Sequence, residues 1–197
     1  VLIVLEGIDG AGKTTLRDGL AARLERAGHE VVRTKEPTDG PLGKRIREIA
    51  KAGRDTVSAE EELALFHEDR KLHVQTLVLP ALARGAVVLQ DRSYFSTVAY
   101  QGERGLDRAK LLEMEQAIAP APDVLFVLDL PPEASLERVR SRGASDDFET
   151  LESLRRVREV FLGFEGKQVI DARRSPAEML EAAWQVVAPR LSSKFPR

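Results

Sequence analysis

The residues best suited to chemistry fall in four short stretches. "GIDGAGKT", Gly7 to Thr14, fits the spacing G-x-x-x-x-G-K-[ST]. Glycines at that spacing let successive backbone N–H groups point at phosphate oxygens, and the start of a helix adds the positive end of its dipole. Lys13 would reach the outer phosphates of a nucleoside triphosphate, and the Thr14 hydroxyl would ligate Mg²⁺, a cation that prefers oxygen donors. "QDRSYFSTVAYQG" ends an apolar run in Asp91 and Arg92, with Ser96 and Tyr100 following at i+4 and i+8 from Arg92. A carboxylate at such a strand end belongs near Mg²⁺ in phosphate-binding proteins, and an arginine there can grip an anionic oxygen with two donors. "LFHEDRKLH" sets Phe66, Arg70 and His73 on one helix face, an aromatic surface beside a guanidinium. "LERVRSRGASDDFE" carries Arg138, Arg140 and Arg142, a basic helix end running into Gly and acids that reads as a lid bringing cations over phosphates.

These stretches need a frame. Leu2–Leu5, Val31–Thr34, Ala86–Gln90, Val124–Leu128 and Gln168–Asp171 read as strands. Three of them are nearly continuous apolar runs, the mark of strands covered on both faces. Helices are expected over Lys13–Ala27, Leu42–Ala52, Ala59–Arg84, Tyr94–Gln101, Arg108–Ile118, Pro132–Ser141, Leu151–Gly163 and Pro176–Val187. Gly28 and Gly85 stop two of them, and Ser175-Pro176 starts another. Strands alternating with helices, with the phosphate loop after the first strand, predict a three-layer α/β fold, a five-stranded parallel sheet flanked by helices. Ligands then bind at the carboxyl ends of the strands, where Gly7 and Asp91 both lie. The expected organisation is one domain over residues 1–197 with a lid near 141–150, and "RLSSKFPR" is expected to fray.

Composition excludes several classes. The formal net charge is −2, which gives no basic field for nucleic acid. The chain has no Cys, so disulfides and thiolate chemistry drop out. It has no Asn, so it cannot supply the N-K-x-D loop with which switch GTPases read guanine. "VLIVL" is far too short for a membrane span and no basic region precedes it, so neither a membrane partner nor a secretory signal is expected, and the cytoplasm is the expected compartment. Arg far outnumbers Lys; with Asn and Cys missing, this fits a thermophilic source or the coding bias of a GC-rich genome.

The sequence resembles the thymidylate kinase family, bacterial type with lid arginines. "VLEGIDGAGKTT", "TKEPTDGPLGKRIR", "LFHEDRKLH", "DRSYFSTVAYQG" and "LDLPPEASLERVRSRG" are each similar to a family segment, and the likeness runs to about Gly163. The resemblance implies phosphorylation of dTMP to dTDP by MgATP, in a homodimer packed through helices. It implies an ATP site at Gly7, Ile8, Asp9, Gly10, Ala11, Gly12, Lys13, Thr14 and Thr15, joined by Arg138. It implies dTMP contacts at Asp9 (sugar 3′-hydroxyl), Glu36, Phe66 (stacked on the base), Arg70 (near the base), Arg92 (at the phosphate), Ser96, Tyr100 (against the deoxyribose) and Gln101. Thr14 and Asp91 would hold Mg²⁺; Lys13, Asp91, Arg92 and Arg142 would be the catalytic set. Ala11 stands where some members carry Arg, which points to the subtype whose catalytic arginine comes from the lid, Arg142 before Arg138 or Arg140. The chain departs from the family pattern at Ser93, Lys35, His67, Glu68 and Asp147, the last replacing a lid arginine. The nearest rival is a deoxynucleoside kinase using Glu36 as base toward a 5′-hydroxyl. A mechanical ATPase and a nucleotide-binding regulator without turnover are more distant rivals.

Overall fold

The computed structural model describes residues 1–141 and 150–194. Strands β1 (Leu2–Glu6), β2 (Val31–Lys35), β3 (Val87–Asp91), β4 (Val124–Asp129) and β5 (Gln168–Asp171) form one sheet in the order β2-β3-β1-β4-β5. Every pairing is parallel. β1 and β3 are buried at all positions and β4 at all but its last. That is why their sequences read as unbroken apolar runs, while the half-exposed edge strand β2 does not. Helices α1 (Lys13–Arg26), α2 (Pro41–Ala52), α3 (Ala59–His73), α4 (Leu79–Ala83), α5 (Tyr94–Glu103), α6 (Arg108–Gln116), α7 (Pro132–Ser141), α8 (Leu151–Gly163) and α9 (Pro176–Lys194) accompany the sheet.

This order fixes where a ligand can sit. The chain places β2 and β3 on one side of β1, and β4 and β5 on the other. The crevice therefore opens at the carboxyl end of β1, where the Gly-rich loop begins. The register brings Leu5, Asp91 and Lys35 level across three neighbouring strands.

Two expectations are corrected. The helix expected over Ala59–Arg84 is divided: α3 ends at His73, one turn of π-helix covers Val74–Val78, and α4 follows. Pro80 is the reason, because it has no N–H to donate and its ring crowds the carbonyl four residues back, so the ladder reorganises around Thr76. The C-terminal helix, expected to stop at Val187, runs through Pro189 to Lys194. Leu191 packs into the core with 4% exposure and Arg190 donates to the Val186 carbonyl at 2.7 Å, so the start of the stretch expected to fray is helical; its last three residues lie outside the described ones. Other boundaries move by a residue or two, and a 3₁₀ turn at Arg54–Thr56 was not foreseen.

Candidate nucleotide-binding and active site

The Gly-rich loop joins β1 to α1 in a path that only glycine allows at its first step. Gly7 has φ 139°, and a Cβ there would meet the Leu128 carbonyl oxygen at 2.5 Å. The loop is braced from α7: Ser135 Oγ donates to the Asp9 carbonyl at 2.6 Å and Arg138 Nη1 to the Gly10 carbonyl at 3.1 Å. Arg138 also donates to the Ala172 carbonyl at 3.1 Å, tying loop, α7 and the turn after β5 together. Lys13 opens α1 and folds back over the loop, its Nζ donating to the Gly7 and Ile8 carbonyls at 2.9 and 3.0 Å. Burial, followed by the nearby charge of Arg92, lowers its pKa. The Thr14 hydroxyl donates to Asp91 Oδ2 at 2.7 Å, so the two side chains expected at Mg²⁺ are brought together.

Asp9, Gly10, Gly12, Lys13, Thr14, Thr15, Glu36, Asp91 and Arg92 line one cleft of about 400 Å³, together with Lys35, Pro37, Arg47 and Val139. Residues expected on the donor and acceptor sides thus line one space. The side chains of Ile8 and Ala11, both within the loop, are buried.

Arg92 is the hub of the residues expected on the acceptor side. It does not belong to α5, which begins at Tyr94; its φ is 68°, alone among the described non-glycine residues in being positive. The i, i+4, i+8 spacing of Arg92, Ser96 and Tyr100 therefore does not place them on one helix face, and they meet in another way. The left-handed backbone turns the side chain back over α5, where Nη1 donates to Ser96 Oγ at 2.8 Å and the guanidinium lies 5.3 Å above the Tyr100 ring. Nη2 donates to Asp9 Oδ1. Burial alone would raise Asp9, but Arg92 and Lys13 outweigh it and hold its carboxyl well below the usual carboxylate range. Arg54 sits 5.2 Å from the same Tyr100 ring, so two arginines contact one aromatic.

The residues expected beside the base divide. Phe66 is half-buried and stands apart from the main core cluster, so it is not a core aromatic. Arg70 is not a solvated surface charge: at 1% exposure it lies within a network with Glu36, Thr97 and Glu115. Glu36 also meets His73 Nδ1 and Gln90 Nε2 at 3.0 Å each. Burial would raise Glu36, yet Arg70 and His73 prevail and lower its pKa. Gln101 donates through Nε2 to Glu62 at 3.0 Å; its buried Oε1 has no hydrogen-bond partner among the described residues. Arg142 and Asp147 lie outside the described residues. Arg140 is exposed near the end of α7.

With this geometry in place, the comparison with known proteins is decisive. The family model described as Thymidylate kinase matches residues 5–183. The chain belongs to the thymidylate kinase family. A thymidylate kinase of Xanthomonas oryzae pv. oryzae (strain PXO99A) is 49% identical over 198 residues, covering 99% of this chain and 86% of the relative. One of Xanthomonas campestris pv. campestris (strain B100) is 48% identical over 198 residues, with the same coverage of 99% and 86%. One of Xylella fastidiosa (strain 9a5c) is 48% identical over 190 residues, 95% of this chain and 90% of the relative. As a member of this family the protein is an ATP-dependent nucleoside monophosphate kinase.

Sequence reasoning missed several residues that contact this candidate site. Glu6, the last residue of β1, is fully buried; it accepts from Ser93 N–H at 2.7 Å and from Ser96 N–H and Oγ at 3.2 and 2.7 Å. It pins the start of α5, and it lies 3.9 Å from Arg92. Ser93 serves here through its backbone N–H, which any residue but proline would supply, so the serine side chain itself has no structural explanation. The one available signal was a carboxylate ending an otherwise apolar strand. Thr97 and Glu115 gave none, since Thr97 sits among apolar helix residues and "LLEMEQ" reads as an ordinary amphipathic turn.

Glu6 carries a pH prediction. Burial pushes its pKa from 4.5 up to about 7 against the pull of Arg92. The folded protein therefore keeps a proton that the unfolded chain has released between these values, and stability falls as pH rises through that window. Glu6→Gln removes the ionisation. Its stability relative to the parent, from urea unfolding, is expected to improve between pH 5 and pH 8 by up to about 3 kcal/mol. A difference that stays constant across that range would show that Glu6 does not titrate there.

Proposed function

We propose that the protein transfers the γ-phosphoryl group of MgATP to the phosphate of dTMP, giving ADP and dTDP, with the residues of this cleft in the roles that follow. The observation that carries this is the shared cleft of about 400 Å³, lined by Lys13 and Thr14 together with Asp9, Glu36 and Arg92. The acceptor oxygen is already anionic, so no strong base is required and catalysis is positioning plus charge neutralisation. Backbone N–H groups from Gly7 to Thr15 cradle the phosphates of ATP, with Lys13 on the outer ones. Thr14 and Asp91 offer a hydroxyl and a carboxylate at one spot, a hard-oxygen donor set that fits Mg²⁺. A hydroxyl and one carboxylate would leave its other positions to phosphate oxygens and water. When bound, Mg²⁺ offsets charge on the phosphates being parted.

On the acceptor side Arg92 grips the dTMP phosphate, exchanging part of its contact with Asp9, which then takes the sugar 3′-hydroxyl. Ser96 orients Arg92, and Tyr100 packs against the deoxyribose. Phe66, exposed enough to receive a ring, stacks on thymine, with Arg70 near the base edge. Gln101 lies beside the base; its Nε2 is committed to Glu62, so the buried Oε1 remains as an acceptor suited to the ring N3–H. Arg138 braces the loop that holds ATP. Arg142 supplies the transition-state cation from the lid, on the strength of the family resemblance.

A homodimer and a cytoplasmic location belong to the same reading. Leu72, Leu77 and Leu79 are exposed hydrophobics on the α3–α4 stretch, a helical face that a second copy could cover. No described helix is long and apolar enough to cross a membrane.

The deoxynucleoside kinase rival needs Glu36 as a proton acceptor, and Glu36 is already committed to Arg70, His73 and Gln90 with a lowered pKa. ADP release with a panel of thymidine, dTMP, dUMP and other monophosphates tests the proposal. We expect dTMP to lead. Thymidine outpacing dTMP would favour the rival, and tight dTMP binding without turnover would favour a regulator.

A further inference from the structure

Arg70 lies at the centre of a buried chain of polar groups that extends beyond the motif carrying it. Its Nε donates to Glu36 Oε2 at 2.8 Å and its Nη2 to Thr97 Oγ1 at 3.0 Å. Its Nη1 donates to Glu115 Oε2. Each carboxylate is closed at its far end by a histidine: His73 Nδ1 lies 3.0 Å from Glu36 Oε1, and His67 Nδ1 lies 3.2 Å from Glu115 Oε1. Glu36 stands in a segment that the sequence singles out. Glu115 comes from α6, outside every motif, and has no exposed surface. It shares the inner face of α6 with Leu111, where an apolar residue would pack without a desolvation cost. A carboxylate completely removed from water needs a partner, and Arg70 with His67 provides it.

We infer that Glu115 is a positioning residue for Arg70, locking the guanidinium that faces the nucleobase, and that His67 seats Glu115. This rests on the proposed reading of Arg70 as the residue near the base. An arginine has five N–H donors in a rigid planar fork, and the bonds to Glu36, Thr97 and Glu115 use three of them. One N–H on each terminal nitrogen remains. Anchored at Nε, Nη1 and Nη2, the plane cannot rotate, so the two remaining donors keep a fixed direction before any ligand arrives. A base that meets a preset fork does not bear the cost of ordering a long side chain. Without the Glu115 carboxylate, Nη1 loses its partner and the guanidinium is drawn toward Glu36, the one carboxylate still bonded to it. The effect should fall on recognition of the base and spare ATP, whose loop lies in a different part of the cleft.

The test uses Glu115→Gln, which keeps volume and an acceptor oxygen but removes the charge, with Glu115→Ala and His67→Gln. KM for dTMP and KM for ATP are measured separately, calorimetry gives the affinity for thymidine, which lacks the phosphate, and urea unfolding gives stability. In Glu115→Gln we expect KM for dTMP and Kd for thymidine to rise together by about 10-fold, with KM for ATP within about 2-fold of the parent. Glu115→Ala should go further in the same direction and His67→Gln less far. If the alanine variant does not fold, the glutamine variant carries the test alone. A parent enzyme that turns over dTMP beside a Glu115→Gln variant with unchanged dTMP and thymidine affinity overturns the role of Glu115 only. So does a rise in both KM values in step with lost stability. A parent that binds neither thymidine nor dTMP overturns the functional reading, and this inference with it.

Discussion

Lys13→Met is expected to lower kcat by about 10³-fold, a loss in the range found when one preorganised donor to a developing charge is removed. Methionine keeps an unbranched stem of similar length, so packing at this buried position survives and only the ammonium is lost. The ammonium is well placed for the role. It rests on the Gly7 and Ile8 carbonyls at 2.9 and 3.0 Å, inside the curve of the loop where phosphate oxygens would lie. Those carbonyls are weak partners beside a triphosphate, so Lys13 can turn from them to the ligand while its backbone stays fixed at the start of α1. The substitution also removes a cation that helps hold Asp9 ionised, a secondary effect because Arg92 is the stronger influence on that carboxyl. Thermal unfolding should change little. Steady-state kinetics with dTMP and ATP check the prediction, and a kcat within tenfold of the parent would remove Lys13 from the transition state.

The parts of this site that were legible in the sequence are those whose logic is local. The P-loop is a contiguous spacing of glycines, lysine and threonine, and its glycines answer to backbone requirements such as the approach of Gly7 to Leu128. β1, β3 and β4 were legible because strands buried on both faces have no polar alternation to disguise them. What escaped depends on partners far away in the chain. Glu6 meets Ser93 and Ser96 some 87 and 90 residues on, and Glu115 meets Arg70 across 45 residues. Glu115 does not differ locally from a surface charge, and Glu6 shows only as a carboxylate at the end of an apolar strand. The left-handed backbone at Arg92 was equally hidden, since an arginine gives no warning of positive φ. Pro80 and Pro189 show the limit from the other side. One interrupts a periodic pattern that had promised continuity, and the other sits inside a helix that Leu191 anchors to the core.

Arg92 gives the second large effect, and its backbone supplies an internal control. Arg92→Ala is expected to lower kcat/KM for dTMP by about 10³-fold, as the loss of a charge-assisted, two-pronged contact that strengthens in the transition state. Arg92→Lys should recover little of this. The native side chain uses both terminal nitrogens at once, on Ser96 and Asp9, while its planar face covers Tyr100, and an ammonium cannot do all three. Arg92→Gly separates the side chain from the backbone. At φ 68° a residue with a Cβ is strained by about 1 kcal/mol relative to glycine. The strain is held in place because Arg92 N–H donates to the Leu5 carbonyl at 2.9 Å and its own carbonyl accepts from Gln90 at 3.0 Å. The glycine variant should therefore be more stable than the alanine variant by about that amount, while the two lose activity equally. Chemical denaturation and dTMP kinetics on the pair read the two quantities independently. Equal stabilities would mean that the left-handed turn costs nothing. A glycine variant that kept activity would mean that the turn, and not the guanidinium, shapes the acceptor side.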